Sequence, residues 1–426
     1  MNLYPHQIDA LEQTKDRDHV AYYLDMGLGK TFVGSEKMIR IGKRINLLIC
    51  QKSKIYDWVQ HFHDYYTRNC VWDLTDKKNF EFFMSQAQYE VPTLMIGIIN
   101  YELAWRRPEL AKLKDFTLML DESSLIQNKT AKQTKFIVNK LQPSAVILLS
   151  GTPCSGKYEN LWTQAKLIGW NLSESAYLQN YVNRRLMEIG GMKFWKVIGY
   201  KNVDRLKQKF REHGAIFLKT EDVMDLPQQT FIDVMVDAPK EYRKFMKNGI
   251  ITIDSVELLG DTQLTKRIRA RQICSVYCKA KYEAFRDLVA STNDRLIVFY
   301  NYTAEYYKLR DIAEELGRPH SLISGLHKDL SAYEQFDDSI ALVQYQAGAK
   351  GLNLQKANKV IYFSLTEKCE DWMQSQKRIH RIGQDRPCFY YVMKCRGTVE
   401  EKIHAALKRG VDYTDELFRE ECENGS

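Results

Sequence analysis

The chain has 426 residues, 44% of them hydrophobic and 12% aromatic, with only nine prolines and a net charge of +8. That length exceeds one ordinary hydrophobic core, so two domains with minor insertions are expected, and the composition excludes a disordered or low-complexity chain. The start shows no leader-like segment, no apolar run approaches the ~18 residues that would span a membrane, and the nine scattered cysteines lack zinc-ligand spacing; a reduced, cytoplasmic protein with free thiols is expected.

In chain order, the first half alternates short apolar runs with helix-like segments. HVAYYLD (19–25), INLLICQ (45–51), TLMIGIIN (93–100), FTLMLDE (116–122) and AVILLSG (145–151) are predicted strands. They are continuous apolar runs, the pattern of strands covered on both faces. Helical stretches such as 31–42 and 55–66 lie between them, which implies a parallel sheet with ligands at the strands' carboxyl ends. From about 157 to 280 the chain reads as helical and basic. Residues 157–219 hold twelve Lys/Arg against five Asp/Glu, so nearly all of the net charge sits there. With Trp195, Tyr200 and Phe210 interleaved among Arg184, Arg185 and the run 201–211, this stretch suits either a solvated face or contact with a polyanion. Pro227 in DLPQQTFIDVMVD (225–237) marks a boundary, followed by a β-like run. The alternation then resumes with RLIVFYN (295–301), HSLIS (320–324), SIALVQY (339–345), KVIYFSL (359–365) and CFYYVMK (388–394). The expected architecture is α/β, two lobes joined by a helical region.

Four motifs carry chemistry. YYLDMGLGKTFVG (22–34) ends like a phosphate-binding loop but has Leu24 where the first glycine usually stands. Gly27 and Gly29 allow close backbone approach, Lys30 suits the β/γ phosphates and the Thr31 hydroxyl suits Mg²⁺. Alone, GKT also fits a glycine turn carrying a stray lysine; a strand before it and a helix after it favour phosphate. LMLDESS (118–124) ends an apolar run with Asp121, suited to hold the metal, and Glu122, suited to activate water. LLSGTPCSG (148–156) offers Ser150 and Thr152 as hydrogen-bonding partners for the acidic pair or a phosphate. QSQKRIHRIGQDRP (374–387) places Arg378 and Arg381 three apart on an expected helix, either as a surface pair or as arginine fingers.

In this order the motifs resemble the superfamily-two helicase-like ATPases, and within them the Swi/Snf type of DNA translocase. Members carry D-E-M-G-L-G-K-T where this chain has L-D-M-G-L-G-K-T. LYPHQIDAL (3–11), ICQKSKIYDWVQHF (49–62), IINYELAWR (98–106), ILLSGTPCSGKYENLWTQ (147–164), FLKTEDVMDLP (217–227), QAGAKGLNLQKANKVIYF (346–363) and RGTVEEKI (396–403) follow the family in sequence, so the likeness covers essentially the whole chain. Three departures stand out: DESS where many relatives have DEAH or DEGH, Gln344-Tyr345-Gln346 where relatives often have S-T-R, and Ala349 for a common glycine.

The resemblance implies two RecA-like parallel-sheet lobes with helical insertions between them: lobe 1 over 1–225 with a basic helical insertion at about 157–215, a linker and helical insertion over 226–280, and lobe 2 over 281–426 with a C-terminal helical tail. It implies ATP on Gln7, Met26, Gly27, Leu28, Gly29, Lys30, Thr31 and Gly351, with Mg²⁺ on Thr31 and Asp121. Lys30, Asp121, Glu122, Arg378 and Arg381 would carry the chemistry. It also implies sequence-independent contact with double-stranded or branched DNA through Lys52, Ser53, Asn100, Gly348 and Asn353. A monomeric DNA-dependent ATPase is expected, acting in replication, recombination or repair beside proteins of those processes. The short insertions and lack of histone-reading modules suggest a phage or bacterial setting. A strand-separating helicase and a non-catalytic, nucleotide-gated DNA-binding protein remain as alternatives.

Overall fold

The computed structural model describes residues 3–67, 69–89, 93–154, 157–189, 192–223, 226–325, 327–345, 353–381 and 383–410. The chain divides into two compact units, Met1–Met224 and Asp225–Ser426. In the first unit the strands are β1 (His19–Leu24), β2 (Ile45–Cys50), β3 (Asn69–Asp73), β4 (Leu94–Asn100), β5 (Phe116–Asp121), β6 (Ala145–Ser150), β7 (Val182–Ile189), β8 (Met192–Tyr200) and β9 (Ala215–Leu218). Seven of them form one sheet in the order β3-β4-β2-β5-β6-β1-β9, and its pairs are parallel.

The continuous apolar runs have the expected cause. Successive side chains of a strand point to opposite faces: Ala21 and Tyr23 pack on one face with Leu47, Ile49 and Leu118, while Val20, Tyr22 and Leu24 pack on the other with Leu48, Met119 and Leu149. Helix Lys30–Ile41 lies close on that second face, where a Cβ on Gly34 would come within 2.7 Å of Leu149. Because the strands are parallel and nearly in register, with Ile49 opposite Leu120, Asp121 opposite Leu149 and Tyr23 opposite Ser150, the segments after β1, β2, β5 and β6 emerge along one edge.

The second unit contains β10 (Gln229–Val236), β11 (Ile250–Ile253), β12 (Val256–Leu259), β13 (Leu296–Tyr300), β14 (His320–Ile323), β15 (Ile340–Gln344), β16 (Lys359–Tyr362) and β17 (Cys388–Cys395). Six make a sheet in the order β10-β17-β16-β13-β15-β14, also parallel, and covered on one face by the cluster around Ile297, Phe299 and Tyr362 and on the other by that around Val298, Tyr300 and Ile361.

Two expectations change. Residues 157–215 are not purely helical, because β7 and β8 form an antiparallel hairpin. The ribbon carries polar and apolar residues on both of its faces, so neither the alternation of a half-buried strand nor the run of a buried one announces it. Nor are residues 226–280 only linker and helix: β10 is an edge strand paired with β17 over its full length, Gln229 with Cys388 through Val236 with Cys395. The C-terminal tail from 411 lies outside the described residues. Among the described residues, no helix is long and apolar enough to cross a membrane.

One buried ion pair joins elements of the second unit that lie far apart in sequence. Lys281 Nζ lies 2.5 Å from Glu400 Oε1, with side chains 0% and 3% exposed, and Cys395 N–H donates to the other carboxylate oxygen at 2.9 Å. Burial alone would lower the lysine's pKa, but Glu400, helped by Cys395 and Cys274, lifts the value to about 12. Removing one partner strands a buried charge, so Lys281→Met is predicted to cost about 3–5 kcal/mol in urea unfolding. Pairing it with Glu400→Gln, which removes the stranded charge and keeps an acceptor for Cys395, is predicted to recover most of that loss.

Candidate functional site

The phosphate-loop segment leaves β1 at Leu24 and enters helix Lys30–Ile41 through Gly29, which is left-handed with φ 75°; Gly27 has φ 90°. A side chain at Gly29 is disfavoured twice over, by the left-handed backbone and because its Cβ would lie 2.0 Å from Gln7 Nε2, which would have to leave its bond to Leu28 O. Gln7 is buried and bonded at both ends of its amide: Nε2 donates to Leu28 O at 3.1 Å and Oε1 accepts from Tyr4 N at 2.9 Å. Lys30 Nζ donates to Leu24 O at 3.0 Å and Asp25 O at 3.4 Å. Gly151, after β6, sits against this lysine, and a Cβ there would be 3.3 Å from Nζ. Met26 lines the same spot, with its Cγ 3.4 Å from that position. Asp25 holds the loop to the end of the lobe, its carboxylate accepting from Thr220 N at 3.1 Å and its backbone N–H donating to Leu218 O at 3.0 Å.

The acidic pair terminates β5. Asp121 Oδ2 accepts the indole N–H of Trp58 at 2.8 Å, and its carbonyl accepts the hydroxyl of Tyr101 at 2.9 Å. Burial pushes the Asp121 carboxyl above the ordinary carboxylate range, while the Trp58 bond and the charges of Lys30 and Lys54 pull it back. Such an anion gains from a nearby cation. Glu122 is left-handed, φ 55°, a backbone conformation that costs a β-carbon-bearing residue about 1–3 kcal/mol and often marks a functional turn.

Gln164, fully buried, knits three motifs together. Its Oε1 accepts from Ser123 Oγ at 2.8 Å and from Tyr23 OH at 3.0 Å, and its Nε2 donates to Pro153 O at 2.8 Å. The acidic motif is therefore tied to β1 and to the SGTP turn through Ser123 and Gln164 rather than through Ser150 and Thr152. Ser150 Oγ instead accepts from Thr152 N at 3.2 Å, and Thr152 Oγ1 is buried without a hydrogen-bond partner among the described residues.

Three features match a phosphate group and its divalent cation: two left-handed glycines, a glycine at 151 where a Cβ would crowd Lys30 Nζ, and a Thr152 hydroxyl without a hydrogen-bond partner among the described residues. Thr31 and Asp121 are the oxygen donors suited to the cation. Sequence reasoning missed Trp58, Tyr101 and Gln164. Each lies inside a segment singled out for its likeness to the family, but their partners are 63, 20 and 41 residues away, beyond any local periodicity.

The other expected residues fall in several environments. Lys52 and Ser53 are exposed on the short 3-10 turn Lys52–Lys54 after β2. Asn100 ends β4 but is buried, and its amide donates to Glu102 at 2.7 Å instead of facing solvent. Gly348 and Gly351 lie outside the described residues. The two arginines do not share a helical face. The helix is Cys369–Gln376, and beyond it Tyr390 OH caps Gln376 O at 2.9 Å while Gln384 Nε2 bonds Gln355 O, Ala357 O and Ile379 O. The helical ladder does not continue regularly there: His380 N–H still donates to Gln376 O at 3.3 Å, but Arg378 N–H turns to Ser375 O and Arg381 N–H to Ile379 O. Arg378 is buried, and Arg381 donates to Asn353 Oδ1 at 2.5 Å. Gln344 Nε2 donates to Asn301 O at 3.1 Å and Tyr345 is buried on Phe299, while Gln346, the third residue of this departure from the S-T-R pattern, lies outside the described residues.

The family model "SNF2-related domain" matches residues 23–277, more than half of the chain, and "Helicase conserved C-terminal domain" matches 280–383. The chain belongs to the SNF2-related family. The SNF2-related chain is 24% identical over 440 residues to "SWI/SNF-related matrix-associated actin-dependent regulator of chromatin subfamily A-like protein 1" of Xenopus laevis, covering 96% of itself and 43% of that protein. It is 22% identical over 441 residues to "DNA annealing helicase and endonuclease ZRANB3" of Mus musculus, covering 97% of itself and 40% of that protein. The SNF2-related chain thus spans less than half the length of these relatives. Among solved structures it is similar to the Sulfolobus solfataricus SWI2/SNF2 ATPase core in complex with dsDNA, at 21% identity and a TM-score of 0.44, over 99% of this chain and 92% of that one.

If Trp58 helps to keep Asp121 ionised, Trp58→Phe, which keeps the ring packing and removes the N–H, will move the acid limb of the ATP-hydrolysis pH profile to higher pH. An unmoved limb with an unchanged melting temperature would exclude that role.

Proposed function

We propose that the chain is a DNA-stimulated ATPase that uses hydrolysis to move along or remodel duplex or branched DNA. One observation carries this reading: Lys30, Gly151, Asp121 and Glu122 leave neighbouring parallel strands at one sheet edge, where phosphate chemistry needs a cation, an open backbone and two carboxylates. ATP would be held by Gln7, Met26, Gly27, Leu28, Gly29, Lys30 and Thr31, with Mg²⁺ on Thr31 and Asp121. Bound there, the metal would neutralise developing phosphate charge. Gln7, fixed at both ends of its amide, positions the loop beside the base. Lys30 exchanges its bonds to Leu24 O and Asp25 O for phosphate oxygens. Glu122 orients water and takes its proton. Arg378 and Arg381 are the residues proposed to supply positive charge to the transferred phosphate.

DNA enters this reading through family membership, the exposed Lys52 and Ser53, and Asn353 beside Arg381. The relatives named as annealing helicase and chromatin regulator support a role on DNA, and replication, recombination or repair is the proposed setting. Contacts to phosphates make binding independent of sequence and strongly dependent on salt.

Lys30→Ala is expected to abolish ATP hydrolysis. Glu122→Gln is expected to keep nucleotide affinity while losing turnover by at least about a hundredfold, as for loss of a general base. Hydrolysis at the parent rate in Lys30→Ala would remove the nucleotide-site assignment. On DNA substrates, displacement of a third strand from a triplex without parting of a forked duplex is expected; parting of the fork would make the chain a strand-separating helicase instead.

A further inference from the structure

The hairpin β7–β8 is anchored at its root and wet elsewhere. Val182 is buried, Tyr200 OH bonds Glu159 at 2.6 Å, and the Tyr200 ring meets Tyr158 edge-on at 5.2 Å. Beyond the root, Leu186 is 49% exposed, Phe194 44%, Trp195 59% and Ile198 55%. Cross-strand pairing puts Leu186 beside Trp195 with Arg184 next along that face, and Met187 beside Phe194 with Arg185 and Lys196 next along the other. Arg184 stacks over the Trp195 ring at 5.2 Å. Residues 182–201 carry five basic side chains and one acidic one, Glu188, and that acid faces Lys193 at 3.8 Å. The helix that follows, Val203–Glu212, buries Leu206 and Phe210 and leaves Arg205 and Arg211 exposed.

A two-stranded ribbon is marginally stable by itself, and half-exposed rings contribute only modestly to its folding. Basic charge alone would suit duplex phosphates. Aromatic and aliphatic side chains on both faces have no use against a duplex backbone, because paired bases bury their faces in the stack. Bases of an unpaired strand present those faces, and stacking on aromatic rings with arginine beside them is the physical mode that holds them.

We infer that the β7–β8 hairpin binds unpaired DNA, stacking bases on Trp195 and Phe194 while Arg184, Arg185 and Lys196 meet the phosphates, and so directs the motor toward junctions and gaps. The inference rests on the DNA-motor reading above but can fail separately from it. The test is fluorescence anisotropy at fixed salt with labelled oligothymidylate and with a blunt duplex. Phe194→Ala combined with Trp195→Ala is expected to weaken oligothymidylate binding about tenfold or more, with much less effect on the blunt duplex. Trp195→Phe, which keeps a ring, retains most of the affinity, and melting temperatures check the fold of each variant. Unchanged oligothymidylate affinity in the double variant overturns the inference, and so does equal loss on both ligands, which would mean that the ribbon grips duplex. A parent chain that binds neither DNA overturns the hairpin role and the motor reading together. A parent that binds oligothymidylate through the hairpin but hydrolyses no ATP keeps the first and removes the second.

Discussion

A carboxylate at the half-buried end of a strand is costly to keep charged unless the surroundings supply donors and cations. Asp121 is in that position at the end of β5, and much of the first unit is arranged around it. The Trp58 indole comes from the helix after β2, the Tyr101 hydroxyl from the turn after β4, and the positive charges from Lys30 and Lys54. One residue on, Ser123 reaches Gln164, which binds β1 through Tyr23 and the SGTP turn through Pro153 O. A parallel sheet is what permits this, since it delivers the carboxyl ends of several strands to one edge and lets residues as far as 141 positions apart share hydrogen bonds.

The same constraint gives the loop after β1 its character. It lacks the first glycine of the common motif, yet Gly27 and Gly29 supply the left-handed turns, and Asp25 gains a structural role by holding Thr220 at the end of the lobe. In the second unit the sheet is of the same kind, and its exposed chemistry is sparser. Arg378 is buried, Arg381 is joined to Asn353, and Gln344 and Tyr345 are drawn into packing.

The central strands were legible because burial on both faces writes a continuous apolar run, and the phosphate loop and acidic pair were legible because each follows such a run. β3 and β9 were not. Asn69–Asp73 mixes polar with apolar residues, and Ala215–Leu218 is four residues long. The hairpin at 182–200 was hidden because both faces of its ribbon reach solvent, so neither periodicity develops. β10 was read as following a boundary, and only its pairing with β17 places it in the second sheet. Arg378 and Arg381 have helical spacing, but the helix stops at Gln376, whose carbonyl accepts from Tyr390 OH, and Gln384 ties the following segment to Gln355 O and Ala357 O. The residues that could bear chemistry were visible; Trp58, Tyr101 and Gln164, which hold them in place, act over sequence distances that no local pattern records.

The central claim is that the edge built around Lys30 and Asp121 hydrolyses ATP in response to DNA. It is tested most directly by the steady-state rate of ATP hydrolysis by the whole chain in Mg²⁺ buffer, titrated with duplex DNA of unrelated sequences. The account predicts a low rate without DNA, a rise to saturation that is the same for every sequence, and loss of the rise as salt is increased. A rate that is unaltered by any DNA at low salt would contradict it.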